Sequence, residues 1–169
     1  MWKHPSFFYG QVIKKILFIS STGGHLTELL QLSPLFSEYD YHIITEKTKA
    51  NLSLYDKYGK EHVDMLVYGT KSHILTYLFK FTYNCIKSFI LFKKINPDVV
   101  ITTGTHTAVP MCKIAHKYGK KVIWIETFAN ATTPTKAGQM IYPIADLFVV
   151  QWESMLEVYP NAVYKGWIF

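Results

Sequence analysis

The sequence predicts an α/β fold built on a Rossmann-like parallel sheet, and three observations carry that prediction. Apolar runs of strand length alternate with longer helical patterns through the whole chain of 169 residues. Runs such as 16–19 and 99–101 are continuously apolar, as strands covered on both faces require. Glycine-containing turns follow two of these runs and precede helices, which is where open parallel sheets bind their ligands.

In chain order, the first strand is expected at 14–20 (KKILFIS), followed by the turn Ser20-Ser21-Thr22-Gly23-Gly24-His25. Gly24 and His25 open a helix through Leu26, Leu29, Leu30 and Leu32 that Pro34 stops. Strands at 41–45 and 61–68 lead to a long helical pattern over 72–94. The strand 98–103 runs into Gly104-Thr105-His106-Thr107 and a helix that begins near Ala108 or Pro110 and ends at Gly119. A strand at 120–126 closes on Glu126, a short helical stretch precedes Pro143, and a strand at 146–151 follows. A late helix is expected over 153–158 before Pro160. With no internal repeat and no Gly/Ser-rich linker, the chain reads as one domain, 1–169.

Composition narrows the function classes. At 49% hydrophobic and 16% aromatic residues the chain can bury a proper core, so a disordered adaptor is excluded. The net charge is +6, yet all 18 basic residues are lysine. Base readers lean on the planar arginine fork, so nucleic acid is not the expected partner, whereas lysines suit an anionic membrane surface, most of them reading equally well as solvated surface charges. Cys85 and Cys112 are too few for a zinc site and not spaced as a redox pair, and no Asp-x-Asp metal clamp is present. No metal or cofactor is expected. The first ten residues, MWKHPSFFYG, hold no apolar run long enough for a signal peptide or a spanning helix.

The turn around Gly23 and Gly24 lets the backbone approach a ligand, and the helix start behind it favours an anion such as a diphosphate. It lacks the lysine of a Walker loop and the spaced glycines of a dinucleotide fingerprint, so kinase and dehydrogenase readings weaken. The plainer alternative is an ordinary tight βα turn. Gly104, Thr105 and His106 form a second loop that can face the same crevice, where His106 by itself reads more readily as a capping or solvent-facing residue than as a catalytic one. Glu126 places a carboxylate at that edge, either as a base or sugar ligand or as a helix cap or ion pair.

Over 72–94, His73, Thr76, Lys80, Asn84, Lys87 and Lys94 recur at helical spacing as a narrow polar stripe. Phe79, Phe89 and their aliphatic neighbours fill a broad apolar arc. Lys80 and Lys87 would each cost about 2.5–3.5 kcal/mol near a bilayer centre, which disfavours spanning. Two readings stay open: an interfacial helix whose lysines reach headgroups, and a helix sandwiched between the sheet and a partner protein.

The stretches SSTGGHLTELLQL (20–32), TTGTHTAVP (102–110), IETFANATTPTKAG (125–138), IYPIADLFVVQWESMLEVYP (141–160) and VYKGWIF (163–169) together cover most of the chain. They resemble the membrane-associated subunit of the two-part UDP-N-acetylglucosamine transferase of dolichol-linked oligosaccharide synthesis, and more closely its bacterial capsular and exopolysaccharide relatives. The glycine loop is also shared with enzymes of peptidoglycan lipid-intermediate synthesis.

The resemblance implies the N-terminal, acceptor-side half of a split GT-B glycosyltransferase, forming a heterodimer with a small donor-binding subunit that holds the UDP-sugar. It implies an undecaprenyl-diphosphate-linked acceptor and a place at the cytoplasmic face of the membrane, on the inner leaflet. On that reading His25 and Glu126 are the candidate catalytic groups, and Thr22, Gly23, Gly24, Gly104, Thr105 and His106 bind the acceptor and its diphosphate. The tail 164–169, with Trp167, Ile168 and Phe169, docks the partner. Eukaryotic relatives carry an N-terminal spanning helix that this sequence does not show, so anchoring is expected to fall to helix 72–94, through Phe79, Lys80, Lys87 and Phe89, to the partner, or to the N-terminal aromatics. The rival readings are a non-catalytic enhancer that localises the transferase, and a lone nucleotide-binding module.

Overall fold

A computed structural model describes residues 15–69 and 74–168; the N-terminal aromatics, Ser72, His73 and Phe169 lie outside the described residues. Seven parallel strands form one sheet: β1 (Lys15–Ile19), β2 (Asp40–Lys47), β3 (Val63–Val67), β4 (Val99–Thr102), β5 (Lys121–Ile125), β6 (Leu147–Val150) and β7 (Val163–Tyr164). Their spatial order is β3-β2-β1-β4-β5-β6-β7. The chain therefore winds outward from β1 to β3, then returns to add β4 on the other side of β1. The crevice at the carboxyl ends of β1 and β4 is the switch point of the sheet.

The continuous apolar runs are explained by burial on both faces. Along β1, Ile16 and Phe18 pack with Leu26, Leu29 and Phe36 on one side, while Leu17 and Ile19 pack with Phe92, Met111 and Cys112 on the other. Helix α1 (Gly24–Leu30) and α2 (Ser53–Tyr58) contribute to the first layer, and α3 (Ile74–Ile95), α4 (Val109–Lys117) and α5 (Lys136–Ile141) to the second.

Three expectations change at element ends. Pro34 sits in the first turn of a 3-10 helix over Ser33–Ser37, so it starts a new turn as well as ending α1. The segment expected as a late helix is a single 3-10 turn, Glu153–Leu156, which its burial of Met155 holds in place. Strand β7 follows it, where the sequence offers only two residues of strand character.

Asn84 and Lys87 of the polar stripe of α3 face inward. Asn84 Oδ1 accepts from Val67 N at 2.9 Å and its Nδ2 donates to Val67 O at 2.8 Å, as the peptide of a neighbouring strand would. Lys87 Nζ donates to Met65 O at 2.6 Å, and Lys94 lies 3.8 Å from Asp64. The expectation that Lys87 reaches toward headgroups is thereby corrected, because its ammonium is engaged on the edge of β3. The exposed face is apolar instead, comprising Leu78, Phe79, Tyr83, Ile86, Phe89 and Ile90, with Phe79 78% exposed. No described helix is long and apolar enough to cross a membrane.

Candidate functional site

The loops after β1 and β4 are fastened to one another. Ser21 N donates to Gly104 O at 3.3 Å. In the first turn of α1, the His25 ring lies against Gly104, where an added Cβ would come within 3.5 Å of Nδ1. His25 Nδ1 sits 2.8 Å from Thr103 O, and Thr103 Oγ1 donates to His25 O at 2.6 Å. A carbonyl oxygen only accepts, so Nδ1 carries the hydrogen and Nε2 of the neutral ring carries the lone pair. The sequence pairs these loops correctly, and the contact fixes which ring nitrogen is basic.

Glu46, at the end of β2, joins both loops, and sequence reasoning missed it. Its Oε2 accepts from Thr22 N at 3.2 Å and its Oε1 from Thr107 Oγ1 at 2.8 Å. Asn51 Nδ2 donates to Glu46 O at 2.7 Å and lies 3.1 Å from Thr22 Oγ1. The Thr22 amide is thus committed to a carboxylate. The signal that could have found Glu46 is the one that singled out Glu126, an acidic residue closing an apolar strand. A small pocket beside it is lined by Glu46, Lys80, Asn84, His106, Thr107 and Pro110. Thr105 Oγ1 lies 3.2 Å from His106 Nδ1.

Glu126 stands at the strand end where the sequence places it, but its side chain is turned inward and is 1% exposed. Its Oε2 accepts from Trp124 Nε1 at 2.7 Å and its Oε1 from Thr135 N at 2.9 Å. Gly138 makes room for it, since a Cβ there would lie 2.2 Å from Oε2. Glu28, which the sequence reading passed over, holds the next residues of the same loop to α1. Its Oε1 accepts from Thr127 Oγ1 at 3.0 Å and from Phe128 N at 3.1 Å, while Oε2 is buried without a hydrogen-bond partner. Burial raises the Glu28 carboxyl above its ordinary range, against the lowering effect of those two hydrogen bonds.

The tail folds back onto this loop. Trp167 packs against Phe128 and Trp152 with ring centroids 5.2 and 5.4 Å apart, and Ile168 N donates to Gln151 Oε1 at 3.2 Å. Trp167 remains 51% exposed. Among the described residues no group of three His, Cys, Asp or Glu side chains could hold a metal ion.

A family model described as oligosaccharide biosynthesis protein Alg14 like matches residues 16–168. The chain belongs to that family. Within the Alg14-like family, the mouse UDP-N-acetylglucosamine transferase subunit ALG14 is 30% identical over 177 residues, covering 90% of this chain and 82% of the mouse protein. The human ALG14 subunit is 30% identical over 176 residues, covering 89% of this chain and 81% of the human protein. Among solved structures, MurG of Acinetobacter baumannii matches with a TM-score of 0.68 and 17% identity, over 83% of this chain and 42% of MurG. A UDP-GlcNAc 2-epimerase of Methanocaldococcus jannaschii matches with a TM-score of 0.66 and 16% identity, over 87% of this chain and 42% of the epimerase. These likenesses show the fold, a Rossmann-like sheet similar to the N-terminal domains of GT-B glycosyltransferases such as MurG. The chain spans 42% of the length of either structural neighbour.

Proposed function

We propose that this chain is the acceptor-binding, membrane-recruiting subunit of a two-subunit glycosyltransferase. A separate donor-binding subunit holds the UDP-sugar, and the sugar passes to a hydroxyl of an undecaprenyl-diphosphate-linked acceptor in capsular or exopolysaccharide biosynthesis. The observation that carries this reading is the crevice at the switch point, where His25 presents its basic Nε2 beside two interlocked glycine loops. The subunit names of the mouse and human relatives support the transferase-subunit part of this reading.

In this reading Nε2 takes the proton of the acceptor hydroxyl as its oxygen bonds to the anomeric carbon with inversion. The bond from that carbon to the diphosphate oxygen breaks, and UDP leaves. The acceptor diphosphate lies against Gly23, Gly24 and the Gly104–His106 loop, with Thr22 held in place by Glu46. Glu126, with a donor on each oxygen, positions the loop after β5. The exposed apolar face of α3 rests in the boundary layer of the inner leaflet, at the cytoplasmic face of the membrane.

A second reading, the non-catalytic enhancer, draws on the inward turn of Glu126, one of the two groups the sequence named as catalytic. Reconstitution with the donor subunit and a lipid-linked acceptor decides between them. His25→Ala abolishing transfer while partner binding persists supports the catalytic half, and unchanged turnover supports the enhancer.

A further inference from the structure

We propose that the C-terminal segment 164–168 sets the position of the helix carrying His25 through the 127–135 loop, so that a protein seated on Trp167 fixes the crevice in its working geometry. The identity of that protein, a donor-binding α/β subunit, rests on the function proposed above. The mouse and human relatives are named as transferase subunits, which supports a protein partner on this surface.

The tail is held by few contacts of its own. Strand β7 has two residues, and beyond it the segment is anchored by Ile168 N on Gln151, by the Ile168 side chain packed against the cluster of Phe18, Leu26 and Leu29, and by the Trp167 ring. Gln151 is 1% exposed and uses both ends of its amide, with Oε1 accepting from Ile168 N at 3.2 Å and Nε2 donating to Glu126 O at 3.1 Å. Trp152, whose ring is tilted against that of Trp167, donates from Nε1 to Phe128 O at 2.7 Å. The Ser154 hydroxyl donates to Ala131 O in the same loop. Tail and loop therefore share one polar seam, with Gln151 buried at its centre and three aromatic rings beside it.

From the loop the contacts continue to the crevice. Phe128 N and Thr127 Oγ1 donate to Glu28 Oε1, and Glu28 lies one helical turn after His25 on α1. Glu28 Oε2 is buried without a partner, so the two donors on Oε1 are what compensate this carboxylate. A shift of Phe128 leaves Glu28 poorly satisfied inside the protein, which gives the loop leverage over α1. A segment with few anchors is the kind that a partner can bias.

Hydrogen exchange of the full chain, followed by mass spectrometry, tests the coupling. Trp167→Ala should speed exchange of peptides spanning 127–135 by about ten-fold while β1 and β4 peptides are unchanged. Trp167→Phe, which keeps a ring against Phe128, should restore protection, a rescue that mere loss of bulk would not predict. Adding the co-purified donor-binding subunit should slow the same peptides in the native chain and not in Gln151→Leu. Unchanged 127–135 exchange in Trp167→Ala overturns the coupling even where the partner still binds. Loosening of the loop in a chain that captures no such subunit upholds the coupling and removes the docking part of the proposed function.

Discussion

His25 and Thr103 clasp each other in both directions: the imidazole Nδ1 donates to the Thr103 carbonyl at 2.8 Å, and the Thr103 hydroxyl donates to the His25 carbonyl at 2.6 Å. One bond selects the tautomer and the other fixes the backbone of the turn that carries the ring. Thr103→Val removes the second bond and keeps the shape. It should cost about 1 kcal/mol of stability in chemical denaturation and slow transfer about ten-fold, with partner binding intact. Transfer at the native rate in this variant would separate the clasp from the chemistry.

Gly138 is confined by the Glu126 carboxylate and the Tyr159 hydroxyl, which a Cβ would meet at 2.2 and 2.8 Å. Both neighbours are buried. Gly138→Ala should therefore destabilise the fold by about 1–3 kcal/mol through overpacking, read as a lowered Tm. An unchanged Tm would mean that the start of α5 can move away from Glu126 freely.

Two carboxyl groups shape the pH dependence of stability in opposite senses. Asp64 is held below its ordinary value of 3.8, chiefly by the hydrogen bond from His42, so its contribution is present above that value and is lost as pH falls through the lower folded value. Asp64→Asn should weaken the protein at neutral pH and flatten the acid limb of its stability curve. Glu28 is raised above 4.5 by burial, so its contribution is full below 4.5 and is lost as pH rises through the folded value. Glu28→Gln should relieve the cost of the buried charge at neutral pH, visible as a smaller fall in Tm between acid and neutral buffers.

Lipid contact is expected from the outer face of α3. Phe79→Glu combined with Ile90→Glu should release the chain from liposomes in a flotation assay without lowering Tm, because both side chains are exposed. Lys87→Met should act in the reverse manner, lowering stability by about 1 kcal/mol through loss of the bond to Met65 O while flotation persists. Loss of flotation in Lys87→Met with native stability would return that lysine to the lipid face.

The strands were legible because burial on both faces of the sheet demands unbroken apolar runs, and β1 and β4 display them. The interlocking of Gly104 with Ser21 and His25 was legible as convergence at one crevice, since loops after adjacent parallel strands must meet there. Glu46 and Glu28 were not, because their partners Thr107 and Phe128 lie 61 and 100 residues away along the chain. Helical spacing showed that Asn84 and Lys87 share a face, but periodicity does not say what that face meets. With so many apolar residues on α3, either side was a plausible interior until the open edge of β3 took up the polar one.

That edge bears on how the protein behaves in a test tube. Asn84 occupies the donor and acceptor that Val67 would otherwise offer to another chain, and the opposite edge ends in a strand of two residues. Ordered strand-to-strand polymerisation finds little purchase on either side of the described sheet. Self-association would instead begin at Phe79, Ile86 and Ile90, giving amorphous clumps that mild detergent disperses rather than cross-β fibres.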